Sequence, residues 1–230
     1  MRIDDYVAEL NRALAGPHGP KRDMVVEARH SLSDTADALE AEGLDRLEAE
    51  RIAVAEFGRI AEIAPGYQAE LTACSGRRLG VLLFVSVPIT VLMWSVLWRL
   101  YPAPDEVWAH QPGWFMPVSR LLDIVQLSTG VYGGLVLFAL SRGARWIRRP
   151  KLLTRSLGVL VWTTLPITTG LGLLLTYGVD SANTLDALPA LLANIVTSAL
   201  WGMQIYGATR CLRITRASRS HAPQMVSSGR

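Results

Sequence analysis

Residues 79–98 read LGVLLFVSVPITVLMWSVLW, an uncharged run whose reading decides the fold class. Crossing about 30 Å of hydrocarbon takes roughly 20 helical residues, and this run is that long. Three more stretches of similar character follow, so the sequence predicts four transmembrane helices at about 79–100, 120–141, 156–178 and 187–209. The positive mean hydropathy of +0.25 agrees with this, since soluble domains rarely sustain a positive average.

The opening of the run recurs. RRLGVLLFVSVPIT at 77–90 matches RSLGVLVWTTLPIT at 155–168, a displacement of 78 residues that pairs Pro88-Ile89-Thr90 with Pro166-Ile167-Thr168. In the second and fourth spans the displacement is 71: Arg142, Arg145 and Arg148 pair with Arg213, Arg216 and Arg219, and Asp123 with Asn194. Two copies of a two-span hairpin explain both displacements. An even number of spans per copy gives both the same orientation, so the repeat is parallel.

Charge fixes the expected topology. Residues 1–78 hold 15 acidic and 10 basic side chains, net −5; residues 79–230 hold 5 and 13, net +8. Twelve basic groups precede span one, join spans two and three or follow span four, whereas only Arg99 and Arg120 flank the other two loops. The positive-inside bias then places both termini in the cytoplasm. Trp94, Trp98, Tyr101, Trp108, Trp114 and Phe115 cluster at the opposite end of the first hairpin, as an interfacial belt does. The basic excess is topological, so direct nucleic-acid binding is not expected. The first thirty residues contain no apolar core of the kind a secretory signal needs. Cys74 and Cys211 fall on the reducing side, where free thiols are the expectation.

Polar residues within the spans are candidate sites because intramembrane charge is costly. Arg120 and Asp123, three apart, can pair on one helix face. Such a pair serves either as an ion or ligand site or, near the outer headgroups, as an interfacial pair orienting the helix. Asn194 is the neutral counterpart of Asp123. Thr163, Thr164, Thr168 and Thr169 line span three and usually bond to backbone or neighbouring helices. Pro88 and Pro166 are candidate hinges. Gly130 with Gly134, and Ser198 with Gly202, suit close helix packing within the bundle as well as homo-oligomerisation. The basic triplets Arg142, Arg145, Arg148 and Arg213, Arg216, Arg219 suit lipid headgroups, or docking of the acidic amino-terminal part.

Residues 1–75 read as a small bundle of amphipathic helices. Ile3, Tyr6, Val7, Leu10 and Leu14 keep helical spacing, and Gly16, Gly19 and Pro20 break it. Met24, Val25, Ala28, Leu32, Thr35 and Leu39 mark a second helix stopping at Gly43. Leu47, Ile52, Ala55 and Phe57 mark the inward face of a third, which stops at Gly58. Ile60, Ile63, Tyr67 and Leu71 mark a fourth, with Pro65 bending it or starting its main part, and its continuity with span one is left open. The domain plan is thus 1–75 helical, 76–213 transmembrane and 214–230 a disordered basic tail. The fold class is all-α: a small cytoplasmic helical bundle, then a four-helix transmembrane bundle made of two parallel-repeat hairpins.

The run Val26-Glu27-Ala28-Arg29-His30-Ser31-Leu32, then Leu39 to Gly43, Glu48-Ala49 to Phe57-Gly58, Ile60-Ala61, Tyr67 and Glu70-Leu71 resembles the alpha-helical HAAS signalling domain, also called permease prefix domain 1. The resemblance covers residues 3–73. It implies a bacterial integral membrane protein with a non-catalytic interaction module, associated with PadR-type transcription regulators or transporter components. The body is too short for an ABC permease with a large extracytoplasmic domain. Glu27, His30 and Asp34 are the candidate partner-binding residues, on an acidic surface suited to a basic partner. No HExxH, P-loop or CxxC motif and no catalytic constellation is present, so neither an enzyme nor a cofactor is expected. The expectation is a signalling or regulatory protein of the bacterial inner membrane; the alternative is a small transporter or an accessory subunit of an ABC-type one.

Overall fold

A computed structural model describes residues 1–101, 112–142, 150–178 and 188–220. The described residues form seven helices and no strand: α1 (Ile3–Ala13), α2 (His18–Ala41), α3 (Arg46–Phe57), α4 (Ile60–Leu100), α5 (Phe115–Arg142), α6 (Pro150–Gly178) and α7 (Leu188–Ser220). The chain divides into two compact units, Met1–Ser75 with residues from Arg213 onward, and Gly76–Leu212. Helix α4, 41 residues long, contributes to both and runs without a break through Pro65 and Pro88.

In the first unit, Ile3, Tyr6, Val7, Leu10 and Leu14 are all buried, as their spacing predicts. They join Ala28, Leu32 and Ala36 of α2, Ala49, Ala53 and Val54 of α3, and Leu71 of α4 in one core. Helix α2 ends at the predicted Gly43. Its φ of 103° is the left-handed conformation that glycine adopts freely. The Leu44 N–H donates to the Leu39 carbonyl and the Gly43 N–H to that of Glu40, the paired bonds of a Schellman cap. At the start of α3 the Asp45 carboxylate accepts from the Leu47 N–H, an N-cap.

Helix α3 departs from expectation. Phe57 packs against the core as expected, but Leu47 is 66% exposed and Ala55 is also exposed, while Ala49, Ala53 and Val54 are buried. Small side chains let α3 lie close against Ala28, Leu32 and Ala36 of α2. Close approach, not side-chain bulk, selects the inward face.

The body supplies four helices long and apolar enough to cross a membrane. Its surface is unlike that of a soluble domain. Phe84, Leu92, Leu127, Leu135, Phe138, Trp162 and Ile195 point outward, whereas Ser86, Thr129, Thr154, Thr168 and Gln204 are buried. The buried polar residues lie among buried Leu79, Leu83, Leu157 and Val161, and the apolar exterior suits hydrocarbon as solvent. Around the bundle, α4 meets α5 at Gly80, where an added Cβ would lie 3.1 Å from that of Leu137. Gly158 of α6 meets Leu212 and the Ala208 carbonyl of α7. Tyr132 of α5 donates to Ser156 of α6 at 2.7 Å, because the Ser156 hydroxyl proton goes to the Leu153 carbonyl. Trp94 of α4 donates to Thr197 of α7 at 3.2 Å.

Helix α7 continues to Ser220, so residues 214–220 of the expected disordered tail are helical, and Ile214 and Thr215 are buried. Residues 221–230 lie outside the described residues.

Candidate functional site

Helix α2 divides its residues sharply. Ala28, Leu32 and Ala36 enter the core, and Glu27, His30 and Asp34 are exposed on the other side. Asp23, also exposed, extends them into a row spaced four, three and four residues apart, a straight stripe along a helix. No ion pair among the described residues takes any of the four, although neighbouring charges are paired. Arg29 meets Asp4 at 2.6 Å, and Arg46 meets Asp37, Glu40 and Glu50. Tyr67 of α4 lies beside the stripe. Burial first, then the negative charges of Glu27 and Glu70, raise its phenol above its ordinary value. The row therefore presents negative charge to solvent that no ion pair among the described residues neutralises.

The expected intramembrane sites are arranged differently. Asp123 and Asn194 are both exposed on the outer surface of the bundle, and the Asn194 amide donates to the Ala190 carbonyl on its own helix. Arg120 is exposed too, and no ion pair among the described residues joins it to Asp123. Pro88 and Pro166 face outward within continuous helices. Gly130 and Gly134 pack against Val87 and Phe84 of α4, whereas Ser198 and Gly202 are exposed. Arg213 is exposed; Arg216 and Arg219 fall on α7 and Arg142 at the end of α5, while Arg145 and Arg148 lie outside the described residues, as does Trp108.

Within the bundle a cavity of about 30 Å³ is lined by residues of all four spans. Val87 and Thr90 come from α4, Gln126 and Thr129 from α5, Thr164, Leu165 and Thr168 from α6, and Trp201 and Gln204 from α7. That volume holds one or two waters. Beside it, the buried Gln204 amide donates to Ser86 at 2.8 Å across 118 residues of sequence. Of the lining residues only Thr164 and Thr168 stand among the sequence candidates. The signal for the others is the spacing: Ser86 with Thr90, Gln126 with Thr129 and Thr164 with Thr168 are each three or four apart, so each pair shares a face of an otherwise apolar helix.

Compared with protein-family models, curated proteins and solved structures, the chain matches none of them.

Proposed function

We propose that this chain is a non-catalytic regulatory protein of the bacterial inner membrane, multi-pass, with both termini in the cytoplasm. Its amino-terminal helices bind a basic surface of a protein partner, a PadR-type transcription regulator or a transporter component. The body is two parallel hairpins that anchor this module and carry changes to it along α4. The observation that carries the reading is the stripe Asp23, Glu27, His30, Asp34, exposed and without an ion pair among the described residues on a helix whose other face is consumed by the core. A charge row of this kind steers a basic partner and sets its orientation. The resemblance of residues 3–73 to the HAAS domain supports the same role. So does the pairing of Gly80 with Leu137 and Gly158 with Ala208, positions related by the 78- and 71-residue displacements.

The test uses the full chain in nanodiscs against purified products of neighbouring genes. Binding in the micromolar range or tighter is expected for one of them, weakened about tenfold or more by Glu27→Lys with Asp34→Lys at unchanged melting temperature. No binding, or binding indifferent to the reversal, overturns the reading.

The cavity favours a second reading, a small transporter or accessory subunit. Any polar path then runs through Gln126 and Gln204, not Asp123 and Asn194. Reconstituted flux that survives Gln126→Leu removes it.

A further inference from the structure

The cavity in the body has an excess of hydrogen-bond acceptors. Thr90, Thr129, Thr164 and Thr168 donate their hydroxyl protons to the carbonyls of Ser86, Val125, Leu160 and Leu165, each on its own helix. A hydroxyl whose single proton is committed can meet a cavity occupant only as an acceptor. Gln204 directs one Nε2 hydrogen to Ser86, which leaves its second amide hydrogen as a donor and its carbonyl oxygen as a further acceptor. The Gln126 amide adds another oxygen, and the Gln126 and Gln204 amides and the Trp201 indole are the side-chain donors left among the lining residues. Among the described residues no carboxylate and no cationic side chain lines the cavity.

We propose that this cavity binds a water-sized monovalent cation, of the class of sodium, potassium or ammonium, held by neutral oxygens from all four spans. Neutral oxygens replace the hydration shell of a singly charged ion, as filter carbonyls do for potassium. Divalent ions ordinarily recruit carboxylates, which this cavity lacks. The volume of about 30 Å³ admits an ion the size of a water.

The position of the cavity supports the assignment independently. Val87 and Thr90 line it from α4, and the residues 78 further on, Leu165 and Thr168, line it from α6. The two halves of the repeated sequence thus present matching hydroxyls to one space. Proteins built from internal repeats place substrate and ion sites at such junctions. The proposal rests on the body alone, so an amino-terminal unit that finds no partner leaves it untouched.

The test is thermal unfolding of the full chain in nanodiscs prepared in choline chloride, with sodium, potassium or ammonium chloride exchanged for choline at constant total salt. A ligand that binds only the folded state raises the melting temperature with its concentration. A saturable rise is expected for at least one small cation, and the responding salts identify which. Thr129→Val and Thr168→Val remove one oxygen each at nearly unchanged shape. Each is expected to raise the apparent Kd about tenfold or more, as loss of one contact to a charged group implies, while melting in choline stays near wild type. Gln126→Leu, at a part-exposed position, is the check if a threonine variant does not fold. Identical melting in all four salts means that the occupant is water and overturns the proposal. So does a cation response that survives all three substitutions.

Discussion

The side chain of Gln68 grips both backbone groups of Ala15: its Nε2 donates to the Ala15 carbonyl at 2.7 Å, and the Ala15 N–H donates to its Oε1 at 2.8 Å. Ala15 lies just past α1, where the chain turns through Gly16 and Pro17 and helical bonding stops. One amide from α4 replaces the lost helical partners, and Gln68 itself is only 8% exposed. Gln68→Leu forfeits two bonds and leaves a donor and an acceptor with reduced access to water, a cost of about 2–4 kcal/mol. Gln68→Glu keeps the acceptor for the Ala15 N–H but sets a carboxylate oxygen against the Ala15 carbonyl in a nearly buried position, and so still destabilises the unit. Hydrogen exchange at the Ala15 amide checks both: it accelerates strongly in the first variant and weakly in the second.

Tyr6 gives the first unit an alkaline limit. The residue is 1% exposed, donates to the Gly58 carbonyl at 2.9 Å and meets the Phe57 ring edge-on at 5.8 Å. Burial first, then the negative charges of Tyr67 and Glu9, push its phenol above the ordinary 10.0. The folded state therefore holds this proton more tightly than the unfolded chain does. Its stabilising contribution is complete below pH 10.0 and is lost as pH rises through the raised value. Tyr6→Phe costs about 1 kcal/mol at neutral pH through the lost bond and flattens the alkaline loss. Helical circular dichroism followed from pH 8 to 12 checks this; identical alkaline midpoints for both proteins would refute it.

The four spans, the α1 face and the glycine stops at Gly43 and Gly58 were legible in the sequence because each rests on a local rule: unbroken hydrophobicity, helical spacing, or a residue that tolerates positive φ. The inward face of α3 was not legible, because Ala49 and Ala53 carry little hydropathy and matter through closeness of approach. The polar residues inside the bundle were hidden for a related reason. In an apolar span a polar residue can face the bundle or a helix end, and composition favours the charged Asp123 over the uncharged Gln126. The fold reverses that order. Asp123 reaches the outer surface near a helix end, and Gln126 and Thr129, one turn further on, line the cavity. Which residues converge depends on how the spans are rotated about their axes, and no single span carries that information.

The corrected face of α3 separates two substitutions that hydropathy alone would rank the other way. Ala49 is fully buried against α2 and Leu47 is mostly exposed. Ala49→Leu overpacks the α2–α3 contact and costs about 1–3 kcal/mol. Leu47→Gln removes an exposed apolar side chain and stays within about 0.5 kcal/mol of wild type. Limited proteolysis of the full chain, read at the α2–α3 turn, distinguishes them: the first variant is cut faster and the second is not.

Two glycines of the body make the same kind of contrast within the membrane. A Cβ at Gly133 would sit 2.9 Å from the Leu83 Cβ, and Leu83 is 0% exposed. A Cβ cannot rotate away as the end of a long side chain can, so Gly133→Ala must push α4 and α5 apart. Overpacking of this kind costs about 1–3 kcal/mol, more than the gain of up to ~1 kcal/mol from alanine's better helix propensity. At Gly170 an added Cβ meets nothing within 4 Å and the position is exposed. Gly170→Ala then keeps the propensity gain and loses nothing. In nanodiscs Gly133→Ala is expected to melt below wild type and Gly170→Ala at or above it. A Gly133→Ala protein as stable as wild type would mean that the α4–α5 seam has room for a methyl group, which the contact of Gly133 with Leu83 denies.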